Sequence, residues 1–186
     1  MNHVIRSISA DEWPAVKELR LAALKDPVAH LAFLETYEQA AARPDSFWQE
    51  RAAGAAEGDG ARQFVAVGPD GVWGGSVVML VEKADGRDFF DAVIEQDQGH
   101  LVGVFVRAER RGSGVTGVLV EAALDWAWEL GFARVRLYVH EENGRAEAAY
   151  RRAGFVPTGG SVASEGNGET RDLEFVIARP QASSDR

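Results

Sequence analysis

The segment LVGVFVRAERRGSGVTGVLVEAALDWAWELGFARVRLYVHEENGRAEAAYRRAGF, Leu101 to Phe155, decides the fold. Val102, Val104 and Val106 alternate with Gly103 and Phe105, so both faces of this first stretch are largely apolar, as in a strand buried on both sides. Arg110-Arg111-Gly112-Ser113-Gly114 interrupts the pattern. From Val115 the spacing turns helical, with Val115, Val118, Leu119, Ala122, Ala123, Trp126 and Leu130 on one face and Gly131 placed to end the helix. A second apolar strand follows at Arg134–Val139, and a second helix at Asn143 to Tyr150 ends at Gly154-Phe155.

The strand-to-helix turn is suited to an anion. A helix start leaves N–H groups without partners and carries partial positive charge. Glycines there let a phosphate come close to the backbone, and Arg110 and Arg111 add positive charge. A Walker loop is excluded, because no Gly-Lys-Ser/Thr closes the turn. Gly112-Ser113-Gly114-Val115-Thr116-Gly117 fits the dinucleotide pattern Gly-x-Gly-x-x-Gly, but the acidic residues His140-Glu141-Glu142 bring after the next strand come somewhat late for it. Alone, the turn is equally compatible with a tight connection that binds nothing.

The whole segment resembles the GCN5-related N-acetyltransferase (GNAT) superfamily. That family carries Gln/Arg-x-x-Gly-x-Gly/Ala at the turn. Arg111-Gly112-Ser113-Gly114-Val115-Thr116 supplies the Arg and the first glycine, with Thr116 where Gly or Ala is usual and Gly117 one position late. A second signature, Asn-x-x-Ala-x-x-x-Tyr followed by Gly-Phe, is met at every fixed position by Asn143, Ala146, Tyr150, Gly154 and Phe155. The close resemblance covers about a third of the chain.

The resemblance implies roles. The backbone of Val104, Phe105 and Val106 would pair with the pantetheine arm of acetyl-CoA, with Gly103 helping to form a bulge that splays the strand. The amides of Gly112, Ser113, Gly114, Val115, Thr116 and Gly117 would hold the pyrophosphate, flanked by Arg111. Asn143 would touch the cofactor, and Tyr150 would give a proton to the departing thiolate. These parts suit the chemistry: a neutral amine attacks a thioester, an oxyanion needs a donor, and a protonated thiol leaves more easily. On residue type alone, Tyr150 is a packing residue of an amphipathic helix and Asn143 a helix cap.

His100 is a candidate proton acceptor: it lies six residues before Val106, where the resemblance places a Glu in many relatives or, in the arylalkylamine branch, a His. Imidazole titrates near neutrality. The equally weighted alternative is a strand-end histidine facing solvent. His140, Glu141 and Glu142 could line the mouth of the same site.

Composition sets limits. The 186 residues read as one domain over 1–179 with a frayed tail over 180–186. A hydrophobic content of 46% is that of a globular protein, and no apolar run reaches membrane-spanning length. The first residues lack an apolar signal core, so cytoplasmic residence is the simplest reading. With no cysteine, thiol catalysis, disulfides and thiolate metal sites are excluded, and four scattered histidines argue against a zinc site, so no metal is expected. A formal net charge of −9 disfavours nucleic acid as a partner.

Elsewhere, Val4–Ile8 predicts a strand, and a helix follows through about Lys25. Further helices are predicted over Leu31–Ala42 and from Asp45 to Ala56; their apolar residues Leu31, Phe33, Leu34, Tyr37, Phe47 and Trp48 are candidates for the acceptor side. Strands are predicted at Gln63–Val67 and Val72–Val81 about the Pro69-Asp70-Gly71 turn, then a polar excursion over Glu82–Gln98. A closing hairpin is predicted from Val156–Ala163 and Thr170–Ala178, with Asn167-Gly168 at its turn.

The expected architecture is therefore α/β: a mixed, largely antiparallel central sheet flanked by helices, with two splayed parallel strands, Leu101–Val106 and Arg134–Val139, forming the acetyl-CoA cleft. The expected activity is transfer of acetyl from acetyl-CoA to a primary amine by direct attack, the amine being a small molecule or a protein N-terminus. Use of a longer acyl-CoA and a non-catalytic CoA-binding regulator are the rival readings. Dimers are common in the family, so a homodimer is compatible with the resemblance.

Overall fold

The computed structural model describes residues 2–165 and 168–181. Seven strands form one sheet in the order β1-β2-β3-β4-β5-β7-β6: β1 Val4–Ser7, β2 Ala61–Val67, β3 Trp73–Glu82, β4 Gln98–Val106, β5 Arg134–His140, β6 Val156–Ala163 and β7 Arg171–Ala178. Every neighbouring pair is antiparallel except β4 and β5. That exception follows from the chain path, because α4 (Val115–Glu129) carries the chain across between them. The remaining helices are α1 Trp13–Leu24, α2 Tyr37–Ala41, α3 Asp45–Ala56 and α5 Gly144–Arg152.

Alternation along the strands divides the core into two layers. In β2, Val65 packs with Trp48, Val16 and Leu19 from α1 and α3. Its neighbour Ala66 packs with Val77, Leu119 and Ala123 on the α4 side. Each such aliphatic side chain contributes roughly 1.5–3 kcal/mol on burial.

The face that α4 buries is rotated from the sequence expectation. Val115, Leu119, Val120, Ala123, Leu124 and Ala127 are buried, whereas Val118 and Leu130 are exposed. The helix is apolar around most of its circumference, so periodicity alone selects its face poorly.

β4 starts at Gln98, three residues earlier than expected. Gln98, Gly99 and His100 pair with Glu82, Val81 and Leu80 of β3, which buries this polar start. The predicted helix over Leu31–Ala42 is instead a 3-10 turn at Ala29–Leu31 and the short α2. Thr36 sets the new start: its hydroxyl accepts from the Gln39 amide at 3.2 Å and the Gln39 side chain accepts from the Thr36 amide at 2.8 Å. The expected hairpin residue Asn167 and residues 182–186 of the expected tail lie outside the described residues. Among the described residues, no helix is long and apolar enough to cross a membrane.

Candidate active site

β4 and β5 are paired only at Gly99 with Val135 and His100 with Arg136. Beyond those pairs the two strands part, leaving the β5-facing edge of Leu101–Val106 without strand partners. A bulge drives the parting. Ser76 faces Phe105 and Val78 faces Val102, so β4 spends one more residue than β3 over this interval. Gly103 takes the extra position with φ +61, a left-handed conformation that glycine adopts without penalty.

A cleft of about 770 Å³ opens where the strands separate. Val104, Phe105, Val106, Arg111, Gly112, Gly114, Val115, Thr116, Gly117, Asn143 and Tyr150 line it. Of the donor-site residues expected from sequence, Ser113 alone is not in the lining; its hydroxyl donates back to the Arg110 carbonyl at 2.6 Å. α4 begins at the glycine turn, with Gly114 at φ +84 as its first flanking residue. A Cβ added at Gly112, Gly114 or Gly117 would meet nothing within 4 Å, so the turn presents bare backbone to open space. Arg145 and Arg152 of α5 also reach the cleft, joining Arg110 and Arg111. Neither α5 arginine was singled out in the sequence, where each reads as the polar side of an amphipathic helix. The cleft thus has four guanidiniums and a row of free helix-start amides, a fit for a polyphosphate with an extended arm along β4.

Arg111 is held in place. Its Nε donates to the Val106 carbonyl at 2.9 Å, and its terminal nitrogen is ion-paired with Asp26. Burial acts to raise the Asp26 carboxyl, but hydrogen bonds from Arg111 and the Val28 amide, with the charges of Arg111 and Arg145, together hold it below its ordinary value. Asp26 thereby ties the loop after α1 to the end of β4.

Tyr150 comes from the last turn of α5. Asn143 caps that helix, its Oδ1 accepting from the Ala146 amide at 3.3 Å. The Tyr150 ring meets buried Phe155 edge-on, with centroids 6.1 Å apart. Its hydroxyl has no hydrogen-bond partner among the described residues, and the surrounding protein pushes the phenol up from its ordinary value. The phenol is therefore protonated at neutral pH and available as a donor.

A second cavity, about 1120 Å³, lies on the other side of Tyr150. It shares Asp26, Phe33, Val104, Asn143, Ala146 and Tyr150 with the first. Leu31, Phe33, Leu34 and Tyr37 line it, as the sequence suggested, whereas Phe47 and Trp48 pack into the α1–α3 layer and Trp48 is fully buried. Phe89 and Phe90, from the segment between β3 and β4, form another part of its wall.

His100 also lines this cavity. The solvent-facing alternative is corrected: the residue is 1% exposed, because it lies inside β4 and not ahead of it. Phe89 stacks on its ring at 5.1 Å. Its Nδ1 lies 3.3 Å from Glu82 Oε2. Glu82 also binds Arg136, at 2.7 Å and 2.8 Å through its two oxygens. Burial acts to raise the Glu82 carboxyl, but hydrogen bonds from His100 and Arg136 bring it down to about 2. An ionised Glu82 favours the proton on Nδ1, which leaves Nε2 as the basic nitrogen, and Nε2 has no partner among the described residues. His140 differs. Its Nδ1 accepts from the Glu142 amide at 3.2 Å and its Nε2 lies 3.1 Å from the Thr170 hydroxyl, so both nitrogens are engaged.

Comparison with known proteins matches this geometry to one family. Residues 13–155 match the family model described as the acetyltransferase (GNAT) family. No curated protein matches the sequence at a significant level. Among solved structures, a GNAT-family acetyltransferase from Streptococcus pneumoniae superposes with a TM-score of 0.74 at 17% identity, over 96% of this chain and 100% of that one. A PaiA N-acetyltransferase from Thermoplasma acidophilum, solved with coenzyme A, gives 0.70 at 16% identity over 96% and 100%. A phosphinothricin acetyltransferase from Sinorhizobium meliloti, solved with acetyl-CoA, gives 0.74 at 15% identity over 100% and 93%. At these identities the likeness is one of fold.

Proposed function

Because the chain belongs to the GNAT acetyltransferase family, we propose that it transfers the acetyl group of acetyl-CoA to a primary amine by direct attack. The observation that carries this reading is the junction: two cavities meet at Val104, Asn143 and Tyr150, one lined with arginines and bare turn amides, the other with apolar side chains and His100.

Acetyl-CoA, when bound, supplies an activated acyl group as a thioester. The open edge of β4 offers backbone groups at Val104, Phe105 and Val106 to its extended arm, and an N–H there can hold an oxyanion. The turn from Gly112 to Gly117, with Arg111, holds the phosphates. Asn143 fixes the start of α5 and so the height of Tyr150.

In the second cavity His100 Nε2 accepts the proton of the arriving ammonium, directly or through water, and Glu82 holds the ring by its other nitrogen. The neutral amine forms the new N–C bond as the C–S bond breaks. Tyr150 gives its hydroxyl proton to the departing sulfur, the second proton shed by the acylated nitrogen restores the phenol, and the proton on His100 returns to solvent. One acetyl and no net electrons are exchanged. Stopped assays of amine acetylation with Tyr150→Phe and His100→Gln test this reading; full activity in both would remove it.

A further inference from the structure

The acceptor cavity carries a charge arrangement that general amine acetylation does not require. Arg20 of α1 lines it, with its guanidinium 4.4 Å above the ring of Phe33, which borders both cavities. Glu35 takes Arg20 on one carboxylate oxygen at 2.9 Å and Arg43 on the other at 3.3 Å. Both oxygens are therefore committed. Arg51 of α3 lines the same cavity from an exposed position and makes no ion pair or hydrogen bond among the described residues. The charges that act on it are Arg20 and Arg43, which repel it, and Glu35, which is already shared. Glu38 and Glu50 reach the cavity from exposed positions and do not pair with it. Three guanidiniums thus gather about Glu35, which pairs with two of them, Arg20 and Arg43. From the sheet side, Asp172 of β7 lines the cavity and accepts from the Ser164 hydroxyl at 3.0 Å.

We propose that Arg51, with Arg20 beside it, is a binding site for the carboxylate of the acceptor, and that the acceptor is a free amino acid. The inference rests on the acetyltransferase reading. A carboxylate accepting from Arg51 would complete the cluster as a second shared anion, and a planar guanidinium receives it in two parallel hydrogen bonds. The Arg20–Phe33 contact places this anchor one ring away from the junction at Val104 and Tyr150, where the amine must lie. Asp172, with Glu165, supplies negative charge on the sheet side of the cavity.

The test uses the full chain saturated with CoA or acetyl-CoA. The probes are the common amino acids and their carboxamides, which differ only in the charged group. Binding is read by calorimetry with CoA present, and transfer by thiol release with acetyl-CoA. For the preferred side chain, the acid should bind and turn over roughly ten- to a hundredfold better than its amide, the usual worth of a hydrogen bond to a charged group. Arg51→Gln should erase that ratio, and Arg51→Lys should restore part of it, with acetyl-CoA affinity unchanged in both. Amides equal to acids, or amines without a carboxylate as the best acceptors, would overturn the carboxylate site and leave the transferase reading standing. Selective binding of acids without thiol release would support the site and overturn the transferase reading.

Discussion

Glu82 Oε2 and His100 Nδ1 lie 3.3 Å apart on adjacent antiparallel strands, both buried, with Arg136 closing the group from β5. The carboxylate orients the imidazole and the guanidinium keeps the carboxylate ionised. The group therefore has two consequences, one for catalysis and one for stability.

The catalytic consequence concerns pH. His100→Gln should lower kcat by about 10² or more, the common worth of a general base. The deficit should be greatest near neutrality and shrink as pH rises toward the amine's own pKa, where the acceptor arrives deprotonated without help. A pH profile parallel to that of the parent would remove His100 as the base.

The stability consequence has a definite window. Glu82 sits at about 2 in the folded chain against an ordinary 4.5, so folding favours its ionised form. That contribution is complete above about 4.5 and is lost as pH falls toward about 2. Glu82→Gln should cost about 3 kcal/mol at neutral pH, because Arg136 is left with fewer anionic partners. It should also flatten the stability curve across the acid window. Denaturant melts of parent and variant from neutral pH to acid measure both effects.

Tyr150→Phe keeps the ring against Phe155 and removes only the hydroxyl. It should lower turnover by about 10²–10⁴ while acetyl-CoA affinity is retained. Unchanged turnover across an amine panel would remove the proton-donor role.

Arg111→Ala should weaken acetyl-CoA binding roughly tenfold, since one charge-assisted hydrogen bond to phosphate is lost. It should also loosen the end of β4, whose Val106 carbonyl Arg111 caps. Gly103→Val tests the bulge separately. A β-branched residue at φ +61 costs about 1–2 kcal/mol, and the strand can relieve the strain only by giving up the bulge. Thermal melts and acetyl-CoA titrations of the two variants separate the phosphate contact from the strand opening.

What the sequence revealed and what it hid divide along physical lines. The glycine turn, the start of α4 at Val115 and the cap at Asn143 are local, set by residues within a few positions, and all three were legible. The break between Ala29 and Tyr37 was not, because the apolar spacing of a helix continues through it while the Thr36 cap and packing against α1 set the backbone. The Glu82–His100–Arg136 group was also hidden. Its members lie 18 and 54 positions from Glu82, and only the pairing of β3, β4 and β5 brings them together. A lone acidic residue ending an apolar strand, with a histidine on the next strand, was the one signal available. Arg51 gave no signal, since its meaning depends on Glu35 being already taken.

The most direct test of transfer at the Tyr150 junction mixes the purified chain with acetyl-CoA and a panel of primary amines, following free thiol and the mass of each amine. The account predicts thiol and N-acetyl product released one for one with at least one amine, and loss of both in Tyr150→Phe. Tight acetyl-CoA binding with no thiol released above the protein-free rate for any amine would contradict it and mark the chain as a CoA-binding module.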